Sequence, residues 1–216
     1  MKKYNLYLIA AILFVSAAIV SCDKDDDDDD GGLSTSTVGT IDAKVENGNA
    51  FNDLIDEVKL VTLGNSGVVV LATAKFSNGG FKIGLPETVP SNVLRSFDEQ
   101  GGVDEDLEVS NMNVKTTFTS LFAYDEDGDW IGGFFYFKED ATTFVGMQLV
   151  YADGDVNITG ETTDEDGTET WSVYLKKGWN QMFFIDKEWP NDKWESTSTT
   201  TSQSGLKWYF SDDDGW

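Results

Sequence analysis

Between residues 38 and 210, segment after segment carries apolar side chains at every second position, and glycine and aspartate separate these segments. Ile41, Ala43 and Val45 alternate with Asp42, Lys44 and Glu46. Phe81, Ile83 and Leu85 alternate with Lys82 and Gly84, and Trp171, Val173 and Leu175 with Ser172, Tyr174 and Lys176. A period of two lines one face of a β-strand, whereas a helix needs 3.6. Asn78-Gly79-Gly80, Asp127-Gly128, Asp153-Gly154, Asp166-Gly167 and Lys177-Gly178 supply the residues that accept the positive φ of tight hairpin turns. Further strands are expected at 68–76, 107–109, 117–124, 130–137, 144–151, 156–162, 179–185 and 206–210. The expected fold class is all-β, an antiparallel β-sandwich over residues 37–216, within the size one such domain reaches. The Gly- and acid-rich stretch 96–108 is where a seam would fall if there were two half-domains. Phe51, Leu54, Ile55 and Val58 fit helical spacing, but 55–61 also suits a strand, which is the preferred reading. Residues 186–205 include Trp189-Pro190 and the Ser/Thr run 196–202, and are expected to form a long mobile loop before the last strand.

Charge and missing residue types narrow the function classes. The 216 residues hold 39 Asp and Glu against 15 Lys and Arg, a net charge of −24, with no histidine and one cysteine. A nucleic-acid partner requires a basic footprint, and this chain repels phosphates and bare anionic lipid. Partners should be neutral, cationic or metallic. Ser-His-Asp triads, Cys-His dyads, His-based zinc sites and intramolecular disulfides all lack their residues. The glycine-rich phosphate loops GxGxxG and GxxxxGK[ST] are absent as well.

The N-terminus has the form of an export signal over residues 1–21, with Lys2 and Lys3 before an apolar run of 15 residues, 6–20. A spanning helix wants about 20 apolar residues and a signal core about 7–15, so cleavage is expected; an uncleaved helix is the alternative. Ile19-Val20-Ser21-Cys22 resembles the bacterial lipobox. That resemblance implies that Cys22 is acylated and becomes the first residue of a membrane-anchored protein; an incidental thiol after an ordinary cleavage site is the alternative. Residues 22–36 follow as a tether, whose block 23–30 carries seven acids and one lysine and cannot fold alone. Lys24 followed by acids resembles the export signal of Bacteroidetes surface lipoproteins, which implies the outer face of the outer membrane. A periplasm-facing lipoprotein with an acidic spacer is the competing reading. After cleavage the chain carries 13 bases against 39 acids, a net of −26.

FSNGGFKIGLP (76–86), DVNITGE (155–161), YLKKGWN (174–180) and GLKWYF (205–210), with Gly39-Thr40-Ile41 and Ile55-Asp56-Glu57-Val58-Lys59, resemble a group of uncharacterised Bacteroidetes lipoproteins. The opening third, closing on NGGF and an LP, is also similar to transthyretin-like and carboxypeptidase-regulatory-like β-sandwich modules, which act as non-catalytic accessory or surface domains. Both likenesses imply class and address and carry over no active-site residue.

Asp125, Asp127 and Asp129 have the opening spacing of a calcium loop, but Trp130 and Tyr136 stand where an EF-type loop needs Gly and Glu. A water-facing hairpin tip is the preferred reading, for this loop and for 164–167 and 212–214, with a weak calcium site as the alternative; no other cofactor is expected. Trp171, Trp179 and Trp208 lie on strand patterns and are expected in the core. Trp189 and Trp194 fall in a polar stretch and are the candidate binding platform for a glycan or protein ligand. No spacing singles out a carboxylate pair, so the expected activity is binding or adhesion. A structural periplasmic component and a carboxylate-dependent glycan hydrolase are the alternatives.

Overall fold

In a computed structural model, residues 37–65, 67–164, 167–188 and 193–212 are described. The signal peptide and Cys22, like Trp189, lie outside them. Leu33–Trp216 cluster as one compact unit. The fold is all-β, as the period-two pattern requires.

The strands are β1 (Thr37–Lys44), β2 (Glu57–Gly64), β3 (Gly67–Ser77), β4 (Gly80–Pro86), β5 (Leu107–Val109), β6 (Thr116–Tyr124) and β7 (Trp130–Glu139). They continue with β8 (Thr143–Ala152), β9 (Val156–Thr163), β10 (Gly167–Leu175), β11 (Gly178–Glu188), β12 (Trp194–Thr199) and β13 (Lys207–Ser211). Neighbours run β1-β4-β3-β2-β6-β7-β8-β11-β12-β10-β9-β5, with β13 on β7 and a further pairing of β6 with β8. Every named pairing is antiparallel except β10 with β12, which is parallel. The expected strands thus reappear within a few residues at their ends. The Asn78-Gly79 turn between β3 and β4 has φ of +53° and +71° at its two residues, the backbone that matches the twist of a hairpin.

Two interiors form on opposite faces of one strand. β4 joins β3 only through Phe76–Phe81 and Ser77–Gly80, so β1 and β4 fold over the rest as a separate layer. Their Ala43, Phe81, Ile83 and Leu85 meet Val58, Leu60, Leu121, Phe134, Leu149, Tyr151 and Phe210 in the first core. Trp179 and Trp208 pack against that core, and the Trp179 indole N–H donates to the Pro86 carbonyl at 2.7 Å. The second core gathers Val150, Ala152, Val156, Ile158, Val173, Leu175 and Met182, with Phe97, Leu107, Val109 and Trp171 packed against it. On β8, Leu149 and Tyr151 serve the first core, Val150 and Ala152 the second. That is why 149–152 is apolar without alternation, as expected for a strand covered on both faces. The stretch 96–108 covers the second core through Phe97 and Leu107.

The preferred strand reading at 55–61 holds to within two residues at its start, and one other expectation is corrected. The helical spacing at Phe51 corresponds to a 3-10 turn, Gly48–Phe51, followed by one longer bond from Ile55 N–H to the Phe51 carbonyl; the strand begins only at Glu57. More consequentially, 186–205 is not a long mobile loop. β11 runs on through Asp186 to Glu188, and Trp194–Thr199 form β12, inserted between β10 and β11. Ser196, Ser198 and Thr199 are buried. Short hydroxyl side chains fit between the flanking strands β10 and β11, and β-branched threonine favours extended backbone.

Candidate functional site

The inserted strand assembles the most unusual group of side chains in the described residues. In the sheet register Glu169 of β10 lies opposite Ser196 of β12, Ser196 opposite Asp186 of β11, and Asp186 opposite Phe144 of β8. Directly opposed residues in a sheet share a face, so these four form one row. Two residues further along β12, Ser198 lies between Trp171 and Phe184; two residues back, Trp194 lies opposite Gly167. All of these side chains belong to the face that carries the second core, since Trp171 and Phe184 pack against it.

The absence of a side chain at Gly167 seats Trp194. A Cβ at position 167 would stand 2.5 Å from Cδ2 of the indole, so the ring lies over β10 beside Glu169. Gly146 does the same for Phe144, whose ring atom Cε1 would be 2.9 Å from an added Cβ. Trp194 is half-buried, and of the two tryptophans expected as a platform it is the one described. The row also includes residues that the sequence reading did not single out. In the sequence Glu169 and Asp186 are two acids among 39, and Ser196 and Ser198 belong to a polar run with the look of a loop.

The electrostatics of the row are one-sided. Burial pushes the Asp186 carboxyl above its ordinary value, and the Ser196 hydroxyl, which donates to Asp186 Oδ1 at 2.6 Å, offsets part of that. Burial also pushes Glu169 up; its bond from the Trp171 side chain opposes this, and the charges of Asp186 and Asp104 add to it. The charged groups acting on Glu169 are thus all acids. Among the described residues no ion pair involves either carboxylate. The Ser198 hydroxyl, in a residue 0 % exposed, has no hydrogen-bond partner among the described residues.

The acidic loop 125–129 is self-contained. Asp125 Oδ1 accepts the Asp127 and Asp129 amides at 3.0 and 2.9 Å, so the loop's own backbone occupies the carboxylate that would lead a calcium loop. Among the described residues no group of three or more His, Cys, Asp or Glu is placed to hold a metal ion. No described helix is long and apolar enough to cross a membrane. No protein-family model, curated protein or solved structure matches this chain.

The raised carboxyls give a prediction with a definite sign. A carboxyl whose folded value lies above its unfolded one costs stability at neutral pH, and that cost disappears as pH falls below the unfolded range, about 4. Asp186→Asn removes the charge and keeps an acceptor for Ser196. Allowing for the water contact that a half-buried group retains, the melting temperature should rise by about 2–4 °C at pH 7, the shift that ~1 kcal/mol produces in a domain of this size. At about pH 3.5 it should not change. Thermal melts at the two pH values check this, and a fall at pH 7 would show the carboxylate to be a net stabiliser.

Proposed function

We propose that this chain is an outer-membrane lipoprotein, acylated at Cys22, that presents a non-catalytic binding β-sandwich at the cell surface on the acidic tether 22–36. The observation that carries the reading is the lipobox-like Ile19-Val20-Ser21-Cys22, which ends an apolar run of signal length and contains the chain's single cysteine. Each buried CH₂ of an acyl chain contributes about 0.8 kcal/mol, so the lipid holds the protein on a membrane that its acidic body would otherwise avoid. The indole-and-carboxylate row offers a recognition face, because half-buried aromatic rings combined with a few fixed polar groups give both contact area and orientation. A hydrolase needs open space between its two carboxylates for a water or a leaving oxygen. Here Ser196 stands between them and its hydroxyl is bonded to Asp186, which favours recognition over turnover.

Replacing Cys22 by Ala should move the protein from the membrane to the soluble fraction, and unchanged partitioning would overturn the anchorage. Protease treatment of intact cells should digest the folded domain. Protection until the outer membrane is opened would favour the structural periplasmic role instead.

A further inference from the structure

The two carboxylates of the inserted-strand row are half-buried, face the same side of the sheet and are separated by one strand, about 9–10 Å between Cα atoms at ordinary strand spacing. A desolvated carboxylate in a protein is ordinarily balanced by a cation. Here the neighbours on every packed element are of the wrong kind. On β12 there is Ser196, on β8 Phe144, on β9 Thr162 opposite Glu169, and from the segment before β5 the charge acting on Glu169 is that of Asp104. Lys187 is adjacent to Asp186 in the chain but points to the opposite face, in register with Glu195 and Thr143.

A second observation, independent of the acids, points the same way. Ser198 lies on the same face two residues beyond Ser196, fully buried, and its hydroxyl is unpartnered among the described residues. A buried hydroxyl without a partner has lost its bonds to water and gained none in return, so such a group in a native protein calls for an explanation. On either side of the row are indoles, Trp194 over Gly167 and Trp171 beside Ser198. Their π faces carry partial negative charge and attract a cation placed over them.

Carboxylates, an unused hydroxyl and two indoles have one complement in common, a positively charged group that donates several hydrogen bonds. We propose that the Glu169–Ser196–Asp186 row, with Trp194 and Trp171 beside it, binds a primary ammonium group carried on a small organic ligand. A bare metal ion fits less well, since the row lacks the third anionic ligand of a metal centre. A quaternary ammonium would satisfy the indoles but could donate to neither carboxylate. This inference rests on the binding role proposed above and specifies the chemistry of that face.

The test uses the full chain purified in detergent, with glucosamine as probe and glucose as its neutral twin, followed by tryptophan fluorescence and by the indole N–H signals in NMR. Glucosamine should saturate the response and perturb the Trp171 and Trp194 signals, identified by Trp→Phe variants, while glucose should bind at least tenfold more weakly. The double variant Glu169→Gln, Asp186→Asn should lose at least tenfold in glucosamine affinity while still melting cooperatively. Equal binding of both sugars would overturn the ammonium inference and leave a neutral-ligand face. Binding that survives the double variant would mean attraction to the general acidity of the surface, and absence of any response would overturn the inference outright. A response to calcium that excludes glucosamine would replace it with a metal site. None of these outcomes bears on the anchorage, which the Cys22→Ala fractionation tests separately.

Discussion

Phe134→Ala should cost about 3–5 kcal/mol of folding stability, the range for removing a large buried aromatic. Phe134 is 5 % exposed, and its ring centroid lies 5.7 Å from that of Phe76, 4.9 Å from Phe81 and 5.5 Å from Phe210. These partners come from β3, β4 and β13, so one ring on β7 joins the covering β1–β4 layer to the C-terminal strand. The cavity cannot collapse without moving two layers, which places the cost in the upper part of the range. Set against the ~5–15 kcal/mol of a typical domain, the melting temperature should fall by about 10 °C or more. Phe134→Leu should recover roughly half. Urea unfolding of the three proteins provides the measurement, and a loss under about 1 kcal/mol would show that the two layers are not held through this ring.

Gly132→Ala should have an effect of similar size through one added methyl group. Gly132 has φ of +149°, a conformation that side-chain-bearing residues rarely adopt, and it lies opposite Ala123 near the start of β7. A Cβ there would run into the backbone carbonyl oxygen of Ser211 and stand 2.8 Å from the Phe210 ring. The first obstacle is backbone and the second a ring buried in the first core, so neither yields cheaply. Strain and overpacking together should cost about 2–4 kcal/mol. Because the clash is with β13, hydrogen exchange should show protection lost first at 207–211. A melting temperature within about 1 °C of the parent would contradict that geometry.

β13 also shows where local sequence stops being informative. Its apolar alternation marks a strand and one edge pairs with β7, but its other edge is held by Asn47, 163 positions away. Asn47 Nδ2 donates to the Phe210 carbonyl at 2.7 Å, and its Oδ1 accepts the Phe210 N–H at 3.0 Å, so one amide side chain does the work of a neighbouring strand. Lys207 pairs with Glu46 at 2.9 Å and Glu46 N–H donates to the Trp208 carbonyl, which completes the join. No pattern within five or ten residues of either partner encodes it.

Strands that alternate apolar with polar residues, and turns that need glycine or asparagine, can be read from the chain directly. Burial of one face and positive φ both leave a local trace in residue type. β1, β4, β9 and the Asn78-Gly79 hairpin were readable for that reason, and Trp194 stood out as an aromatic in polar surroundings. That β12 is a strand emerges only from packing. It alternates serine with threonine, so its period of two is invisible to hydropathy, and its burial comes from β10 and β11 closing around it. The candidate site depends on the same event. Glu169, Asp186 and Ser198 are ordinary residues until the parallel β10–β12 register aligns them, and that register is set by which strands pack together, not by any segment of chain taken alone.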